Sequence, residues 1–496
     1  MNIFPLQHKI SKLLHNWQFS LVIIIALGLI LRLQSFHNLP FDGHAMRQTD
    51  TESVAYNFAF NNHNILYPQN SLIRPITNTK AYFFLEFPTY QYLIGLFYRL
   101  FGWHIELARI VNIFLYIISS ISIYYISSNL FKSKNTAYLT TFFFAVAPGS
   151  IFFLGHAIHP DIFAVCTYLL SLATFLQWRN KNNYLLLITS LITLSLSVAT
   201  RPFILIGIPA YLYLLWTKKV PIRMYFYYII TAPLIYILWK LWQLPFESAD
   251  SSWENWILTG RQNLFDYQIL VKQLILKNVV GEVMGKITTI FAVIGAFTYL
   301  SKHKNSSLTF IFIWLIFVPF YWLIVPSGNT THQYYANVYI IPIVILAGYG
   351  LNFILQKLSS INKYTYIAFA ILSITIATYN GYHTSRYYFE DIIPHNEQQI
   401  AKEIAQVIPQ DAKIVYLAIN NSIPFSLYHI RGWMLGNSPM DVNATADDIL
   451  FMNNFGANYI VAGKDNTDLN QTELIKIQSN TNLVYSSHWI QVYKYR

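Results

Sequence analysis

Long apolar stretches alternate with short polar segments along most of this chain. A membrane-spanning helix needs about 20 mostly apolar residues, and eleven stretches approach that length. The alternation stops at about residue 385. The pattern therefore predicts a polytopic α-helical membrane protein. The predicted spans are residues 18–37, 105–130, 136–155, 161–179, 184–200, 202–217, 223–243, 286–301, 308–325, 336–356 and 363–382.

Basic residues cluster in every second connection between these stretches. Cytoplasmic loops of membrane proteins carry such an excess of lysine and arginine. With Lys9 and Lys12 before the first span, the clusters place the N-terminus inside. They are Lys132 and Lys134; Arg179 and Lys181; Lys218, Lys219 and Arg223; Lys302 and Lys304; Lys357 and Lys363.

The remaining connections lie outside in this topology, and chemistry is expected there. They are residues 38–104, 156–161, 200–202, 244–285 and 326–335. Within the first of them, Tyr90 to Trp103 is apolar on one face, which predicts an amphipathic helix in the membrane interface. The first apolar run has no small-residue cleavage site after it, so an uncleaved first span is expected rather than a signal peptide.

The composition excludes a large soluble enzyme. Of 496 residues, 54% are hydrophobic and 11% are charged, whereas roughly a quarter of a soluble globular chain is charged. The net charge of +11 arises from loop clusters rather than from a basic groove, so no nucleic-acid partner is expected. The single cysteine, Cys166, lies in an apolar run and is expected only to pack.

The segment from residue 385 to Arg496 is charged and rich in Asn and Asp. It predicts a small extracytoplasmic α/β domain following a transmembrane domain of residues 1–384. The alternation of apolar and polar positions predicts its elements. These are helices at about 396–406 and 446–454, strands at 413–418 and 459–462, and edge strands within 483–495.

Charged and polar side chains crowd the start of the first outer loop, where Asp42, Arg47, Gln48 and Asp50 follow one another closely. Charges this near the membrane edge are costly unless they face water or a partner. A carboxylate here is a candidate general base. The alternative is that Asp42 or Asp50 caps the following helix, since aspartate is favoured at that position.

Arg201 lies between two apolar runs at an outer end, where basic residues are rare. It needs an anionic partner, and a guanidinium suits a phosphate. The alternatives are a lipid headgroup and a structural ion pair. Nearby in the outer loops, His156, His159 and Asp161 form a candidate cation or phosphate site, although their spacing matches no defined metal motif. His156 has the alternative of lying in the interface.

Other outer positions combine a polar group with tyrosines. Glu86 precedes a proline and the predicted interfacial helix, which begins with Tyr90 and Tyr92. A second group, which opens the tenth span, comprises His332, Tyr334 and Tyr335. The tyrosines of both groups are candidates to line a sugar or prenyl site, but interfacial tyrosines are also common for packing alone.

Taken in order, these motifs resemble those of the bacterial membrane glycosyltransferases of the GT-C class, relatives of the protein O-mannosyltransferases and of the aminoarabinose transferase that modifies lipid A. The resemblance covers about residues 15–355. The motifs are Arg47-Gln48-Thr49-Asp50-Thr51, Glu86-Phe87-Pro88-Thr89-Tyr90-Gln91-Tyr92, His159-Pro160-Asp161, Thr200-Arg201-Pro202 and His332-Gln333-Tyr334-Tyr335.

The resemblance implies a polytopic GT-C fold, a polyprenyl-phosphate-linked hexose or pentose as donor, a lipid, glycan or protein acceptor, and inversion at the anomeric carbon. It implies an aspartate base in the first outer loop, best matched by Asp50, with Asp42 as the rival. Many relatives have an adjacent Asp-Glu pair there, which this chain lacks. The resemblance further implies that Arg201, with Asp161 and His159, lies at the donor phosphate. It implies that Glu86, with Asp161, holds a divalent metal in some relatives, which leaves metal dependence open.

Three alternatives remain at this point. A transporter or flippase of lipid-linked sugars is also polytopic, but it is expected to carry ionisable residues within its spans and often inverted repeats. An O-antigen ligase or polymerase would carry paired arginines and a histidine in a late outer loop, whereas residues 244–285 carry only Arg261. A receptor would use residues 385–496 for binding. The residues favour a transferase in the bacterial plasma membrane with its active site outside.

Overall fold

The computed structural model describes residues 17–73, 80–246, 268–302, 306–409, 412–417, 431–435, 445–463 and 471–496. Several residues named above lie outside the described residues: Lys9, Lys12, Lys304, Arg261 and Ala418, the predicted end of a strand. The chain divides into two compact units. The helical unit comprises Met1–His37, Arg109–Trp242 and Glu254–Phe389, and the mixed unit comprises Asn38–Ala108, Gln243–Trp253 and Glu390–Arg496.

Helices form most of the described chain. In chain order they are α1 (Trp17–Arg32), α2 (Ala45–Phe60), α3 (Thr89–Phe101), α4 (Ile105–Phe131), α5 (Lys134–Val146), α6 (Pro148–Phe152), α7 (Asp161–Lys181), α8 (Tyr184–Thr200), α9 (Ile208–Lys218), α10 (Ile222–Gln243), α11 (Gln268–Met284, with π-type hydrogen bonding), α12 (Lys286–Lys302), α13 (Ser306–Ile324), α14 (Pro326–Thr331), α15 (Ile340–Ser359), α16 (Lys363–Ser385), α17 (His395–Val407), α18 (Ala446–Phe451) and α19 (Gln471–Asn480). Short 3-10 segments follow α8, α10, α14, α16 and α18.

Helices occupy most of each of the eleven predicted spans, although the first helix ends at Arg32 rather than at residue 37, and the chain is a multi-pass α-helical membrane protein. One predicted span, 136–155, is broken at Ala147, where the backbone is extended before Pro148 starts α6. Proline is well suited to a first helical position because its missing N–H is not needed there. By length and apolarity, four described helices qualify alone as spans and a fifth qualifies as a bent pair. They are Ile105–Phe131, Asp161–Lys181, Ile222–Phe246, Gln333–Ser359, and the pair Gln268–Met284 with Lys286–Ser301, bent by 106°.

Small and polar residues let the helices of the helical unit approach closely. A Cβ atom added to Gly295 of α12 would lie 2.1 Å from the carbonyl oxygen of Leu346 in α15. Between α7 and α8, Ser171 and Ser190 each donate a hydroxyl hydrogen bond to the other's carbonyl oxygen, at 2.7 and 2.9 Å. Such contacts are characteristic of membrane helices, since lipid removes the hydrophobic drive for helix association.

The mixed unit contains a six-stranded sheet of order β1-β3-β2-β4-β6-β5. The first four strands in this order are parallel, and β6 runs antiparallel to both of its neighbours. The strands are β1 (Leu72–Ile73), β2 (Lys413–Leu417), β3 (Arg431–Leu435), β4 (Tyr459–Gly463), β5 (Thr481–Ser486) and β6 (Ile490–Tyr495).

Successive side chains of β2 point to opposite faces of this sheet, and each face is covered by a buried apolar cluster. Ile414 and Tyr416 pack in one buried cluster with Ile404 of α17. Val415 belongs to the other cluster, which includes Ile449 of α18. The sheet therefore has a helix-covered core on each face, as expected for a largely parallel sheet.

The predicted elements of the C-terminal segment are mostly present. Helices α17 and α18 and strands β2 and β4 lie where the sequence predicts them, and β5 lies at an edge. The prediction of β6 as an edge strand is wrong, because it lies between β4 and β5. Strands β1 and β3 and helix α19 are additional. The first outer loop, residues 38–104, lies within Asn38–Ala108, which belongs to the same compact unit as most of the C-terminal segment rather than to the helical unit.

Candidate functional site

Asp50 lies within α2, beyond its first turn. The helix begins at Ala45, and His44 occupies its N-cap position with a left-handed backbone, φ 58°. The alternative in which Asp42 or Asp50 caps this helix is therefore wrong. The carboxylate of Asp50 is half-buried and accepts a 2.7 Å hydrogen bond at Oδ1 from Asn70 Nδ2.

The rival base, Asp42, is buried in the segment before α2. Gln48 Nε2 donates to Asp42 Oδ1 at 2.5 Å and to the carbonyl oxygen of Gly43 at 2.8 Å. Gln48, itself buried, thus joins Asp42 to the first turns of α2. Of the two aspartates, Asp50 is the more exposed to an incoming molecule.

Glu86 forms an ion pair with Arg47. Arg47 Nη2 lies 2.5 and 2.6 Å from the two carboxylate oxygens, and Gln91 Nε2 donates to Glu86 Oε1 at 2.6 Å. Glu86 and Gln91 are buried, and the exposed fraction of the Arg47 side chain is 12%. This network joins the first turn of α2 to the start of α3, so Arg47 and Glu86 have a clear structural use.

The residues predicted to hold a metal do not fit one. Glu86 already has a cationic partner in Arg47, and Asp161 has one in Arg201. Over the described residues, no group of three or more His, Cys, Asp or Glu side chains is arranged to hold a metal ion. Divalent cations need several oxygen or nitrogen ligands at once, which these two carboxylates with their cationic partners do not supply.

Glu52 is a fourth acidic residue of the first outer loop, and it is fully buried in α2. Trp103 Nε1 donates to Glu52 Oε1 at 2.5 Å. Burial, only partly offset by this hydrogen bond, raises the pKa of Glu52 to about 8. Because a buried carboxyl without a cation favours its neutral form, Glu52 is protonated at neutral pH and is unsuited to act as a base.

The two tyrosines of α3 differ in their surroundings. Tyr90 is fully buried, which agrees with packing rather than with a sugar-lining position. Tyr92 is partly exposed, and its ring lies 5.4 Å from that of Phe58 in α2. Away from its buried face, α3 exposes Leu96 and Leu100, so a helix with an apolar exposed side is present where the sequence predicts one.

In the helical unit, Arg201 follows the last residue of α8 and Asp161 begins α7. Arg201 donates from Nε and Nη2 to Asp161 Oδ2 at 3.0 and 2.7 Å. His159 Nδ1 contacts the same oxygen of Asp161 and lies 3.4 Å from Arg201 Nη2. Arg201 therefore has an anionic partner within the protein, as in the ion-pair alternative, and the pair fixes the orientation of its guanidinium.

Aromatic rings surround this ion pair. The ring of Tyr334 lies 4.3 Å from that of His159 and 5.9 Å from the Arg201 guanidinium carbon. His332 stacks on Tyr334 at 5.2 Å, and Tyr335 lies 5.1 Å from Tyr334. The structure thus brings together the predicted residues Arg201, Asp161, His159, His332, Tyr334 and Tyr335. His156 is buried and packs against the rings of Phe152 and Phe389.

Asn70 is the main site residue that sequence reasoning does not find. It lies in an Asn-rich stretch of the first outer loop, and no motif distinguishes it from its neighbours. Its contact with Asp50 depends on how the loop folds back on α2. Phe203, whose ring lies 5.6 Å from that of Tyr335, is likewise an additional neighbour of the arginine site.

This chain resembles known proteins both in part of its sequence and in its fold. Residues 86–242 match the dolichyl-phosphate-mannose-protein mannosyltransferase family. The structure is similar to ArnT from Cupriavidus metallidurans bound to undecaprenyl phosphate, with 14% identity, a TM-score of 0.60, and coverage of 95% of this chain and 97% of that one. No curated protein sequence is significantly similar.

Two structures from Archaeoglobus fulgidus are also similar. The oligosaccharyltransferase AglB in complex with an inhibitory peptide and a dolichol-phosphate has 13% identity and a TM-score of 0.57, covering 90% of this chain and 69% of that one. An oligosaccharyltransferase complex with Zn and sulfate has 14% identity and a TM-score of 0.55, covering 96% and 73%. The chain therefore has the GT-C fold of these structures, and its residues 86–242 resemble the mannosyltransferase family, as the order of its motifs predicts.

Proposed function

We propose that this protein is an inverting glycosyltransferase that moves a hexose or pentose from a polyprenyl-phosphate donor to a lipid, glycan or protein acceptor on the outer face of the membrane. The observation that carries the proposal is the carboxylate of Asp50 in α2, which is partly exposed and accepts a hydrogen bond from the Asn70 side chain. The other carboxylates of the first outer loop are buried, neutral or paired with Arg47.

In the proposed reaction, an acceptor hydroxyl or amine attacks the anomeric carbon of the sugar. The bond from that carbon to the phosphate oxygen breaks as the new glycosidic bond forms, and polyprenyl phosphate leaves with the bonding electron pair. Asp50 takes the proton that the acceptor loses. A single displacement of this kind inverts the configuration at the anomeric carbon.

Arg201 is proposed to stabilise the charge that develops on the leaving phosphate. Its guanidinium is held in place by Asp161 before any substrate binds, and preorganised donors are effective at developing charge because they need no reorganisation. Asp161 also cancels the formal charge of Arg201. Hydrogen bonding by the guanidinium, with His159 beside it, is therefore expected to matter more than net charge.

The similar structures support the donor class. ArnT binds undecaprenyl phosphate and AglB binds a dolichol-phosphate, according to the complexes in which they were solved. We propose a lipid phosphate of the same kind for this chain. The outward orientation rests on the basic clusters between the spans.

The experiment compares cells lacking the protein with cells rescued by wild type or by Asp50→Asn. Mass spectrometry of lipid, polysaccharide and glycoprotein fractions should show a glycan that is lost in the null and restored by wild type alone. Immunoblotting of membranes checks that Asp50→Asn is inserted, and Cys166→Ser, at a buried position outside the site, should rescue fully. Full rescue by Asp50→Asn would move the base to Asp42. An unchanged glycome would favour a transporter.

A further inference from the structure

Asn70 lies in the loop between α2 and β1 and touches the proposed base directly. Its side-chain amide donates to Asp50 Oδ1 at 2.7 Å, and its backbone N–H donates to the carbonyl oxygen of Ala81 at 3.0 Å. Asn70 is buried. An amide so constrained on both sides can hold the carboxylate of Asp50 in one orientation.

The next residue, Ser71, joins the same helix to the sheet of the mixed unit. Its N–H donates to the hydroxyl of Ser53 in α2 at 2.8 Å. Its carbonyl oxygen accepts a 3.1 Å hydrogen bond from the N–H of Gly432 in β3. Asn70 and Ser71 therefore contact the helix that carries Asp50, while Ser71 is tied to a strand that lies far away in sequence.

The following strand anchors this connection in the core of the sheet. Leu72 and Ile73 form β1, which pairs in parallel with β3 at Gly432 and Trp433. Ile73 is 2% exposed and belongs to the buried cluster that contains Val415 and Ile460. Burial of an isoleucine side chain is stabilising, so β1 is held against the sheet.

We propose that Asn70 is a positioning residue for Asp50 and that the C-terminal part of the sheet, through β1, is the support that holds Asn70 in place. The inference rests on the proposed function, in which Asp50 is the base. It gives residues 385–496 a role in catalysis that needs no contact with substrate. A carboxylate held by an amide donor keeps its charged form and its direction, both of which a general base requires.

The test uses purified full-length protein with membranes from the null cells, which supply the donor and acceptor. The rate of glycan formation is followed by mass spectrometry from pH 5 to pH 9. Asn70→Ala should lower the rate at pH 7 about 10-fold or more and move the acid limb of the profile to higher pH. Gln69→Ala is the matched control, because Gln69 bonds the carbonyl oxygen of Lys80 in the same loop, and its rate should stay within about twofold of wild type.

Asn70→Asp keeps the shape of the side chain but replaces the donor with a second carboxylate. Like charges on Asp50 and the new aspartate would repel at neutral pH, whereas a shared proton restores the donor in acid. The rate of this variant should therefore rise as the pH falls from 7 towards 5. The charged neighbours on α2 do not explain such a change, since Arg47 is paired with Glu86 and Glu52 faces Trp103.

A further variant tests the link to the sheet. Ser53→Ala removes the acceptor for the Ser71 N–H and should lower the rate on its own, but it should add little to Asn70→Ala because both act through the same loop. An Asn70→Asp profile that matches wild type, or equal losses for Asn70→Ala and Gln69→Ala, would overturn the inference. If Asp50→Asn is active, the proposed base fails; if Asp50→Asn is inactive while Asn70→Ala is normal, the positioning role alone fails.

Discussion

The four carboxyl groups of the first outer loop show how environment, rather than residue type, assigns a role to each. Asp42 is buried against Gln48, Glu86 is paired with Arg47, and Glu52 is buried against Trp103. Asp50 is the one held by an amide while still partly exposed. Enzymes separate acids from bases by such differences in surroundings, and this favours Asp50 as the base.

Glu52 should make stability depend on pH. Its pKa is raised from 4.5 to about 8 in the folded protein, so the folded state binds more protons than the unfolded state between these values. Stability from this group is therefore complete below about pH 4.5 and is lost as the pH rises to about 8. Glu52→Gln removes this loss.

Thermal unfolding of the detergent-solubilised protein at pH 5, 7 and 9 checks this prediction. The melting temperature of Glu52→Gln relative to wild type should increase with pH. Asp391→Asn, at an exposed position in the mixed unit, should show a constant difference. A constant difference for Glu52→Gln as well would contradict the buried neutral carboxyl.

Two variants should separate the contribution of the Arg201–Asp161 ion pair to stability from the contribution of the Arg201 guanidinium to activity. Arg201→Gln leaves the buried Asp161 carboxylate without its cation, which should cost about 3–5 kcal/mol of unfolding free energy. Arg201→Gln combined with Asp161→Asn removes both charges and should recover most of that loss. Activity should stay low in the double variant, because the phosphate has lost its guanidinium. Recovery of both stability and activity would show that the pair is only structural.

At the level of elements, the Arg47–Glu86–Gln91 network fixes the start of α3 against the first turn of α2. Glu86→Gln leaves Arg47 without a carboxylate, and because the pair is mostly buried the loss should be about 1–3 kcal/mol of unfolding free energy.

Treatment of wild type with EDTA should leave the rate of glycan formation unchanged. A rate that falls with EDTA and returns with added Mn²⁺ or Zn²⁺ would show that the reaction needs a divalent metal.

The elements divide into those that local pattern determines and those that it does not. Apolar runs predict the helices of the helical unit, because a span must satisfy its own backbone hydrogen bonds. Strand β1 escapes prediction because two residues carry no periodicity, and its partner β3 lies more than 300 residues away in sequence. The Asn70 contact with Asp50 depends on that long-range pairing. The residues of the arginine site could be predicted one motif at a time, because each motif lies at the outer end of an apolar run.

For the whole molecule, the sequence predicts a transmembrane domain of residues 1–384 followed by a separate α/β domain. The compact units differ from that division, since residues 38–108 group with the C-terminal segment. Hydropathy separates apolar from polar segments, but it cannot show which polar segments pack together. The consequence is that the loop carrying the proposed base and the C-terminal sheet share one compact unit.

The most direct test of glycosyl transfer is to incubate the purified protein with null-cell membranes and to quantify lipid-linked sugar and glycosylated acceptor together by mass spectrometry. We predict that the lipid-linked sugar falls as the glycosylated acceptor rises by an equal amount, that free polyprenyl phosphate is released, and that Asp50→Asn does none of this. A lipid-linked sugar that remains intact while the acceptor stays unmodified would contradict the account and favour a transporter.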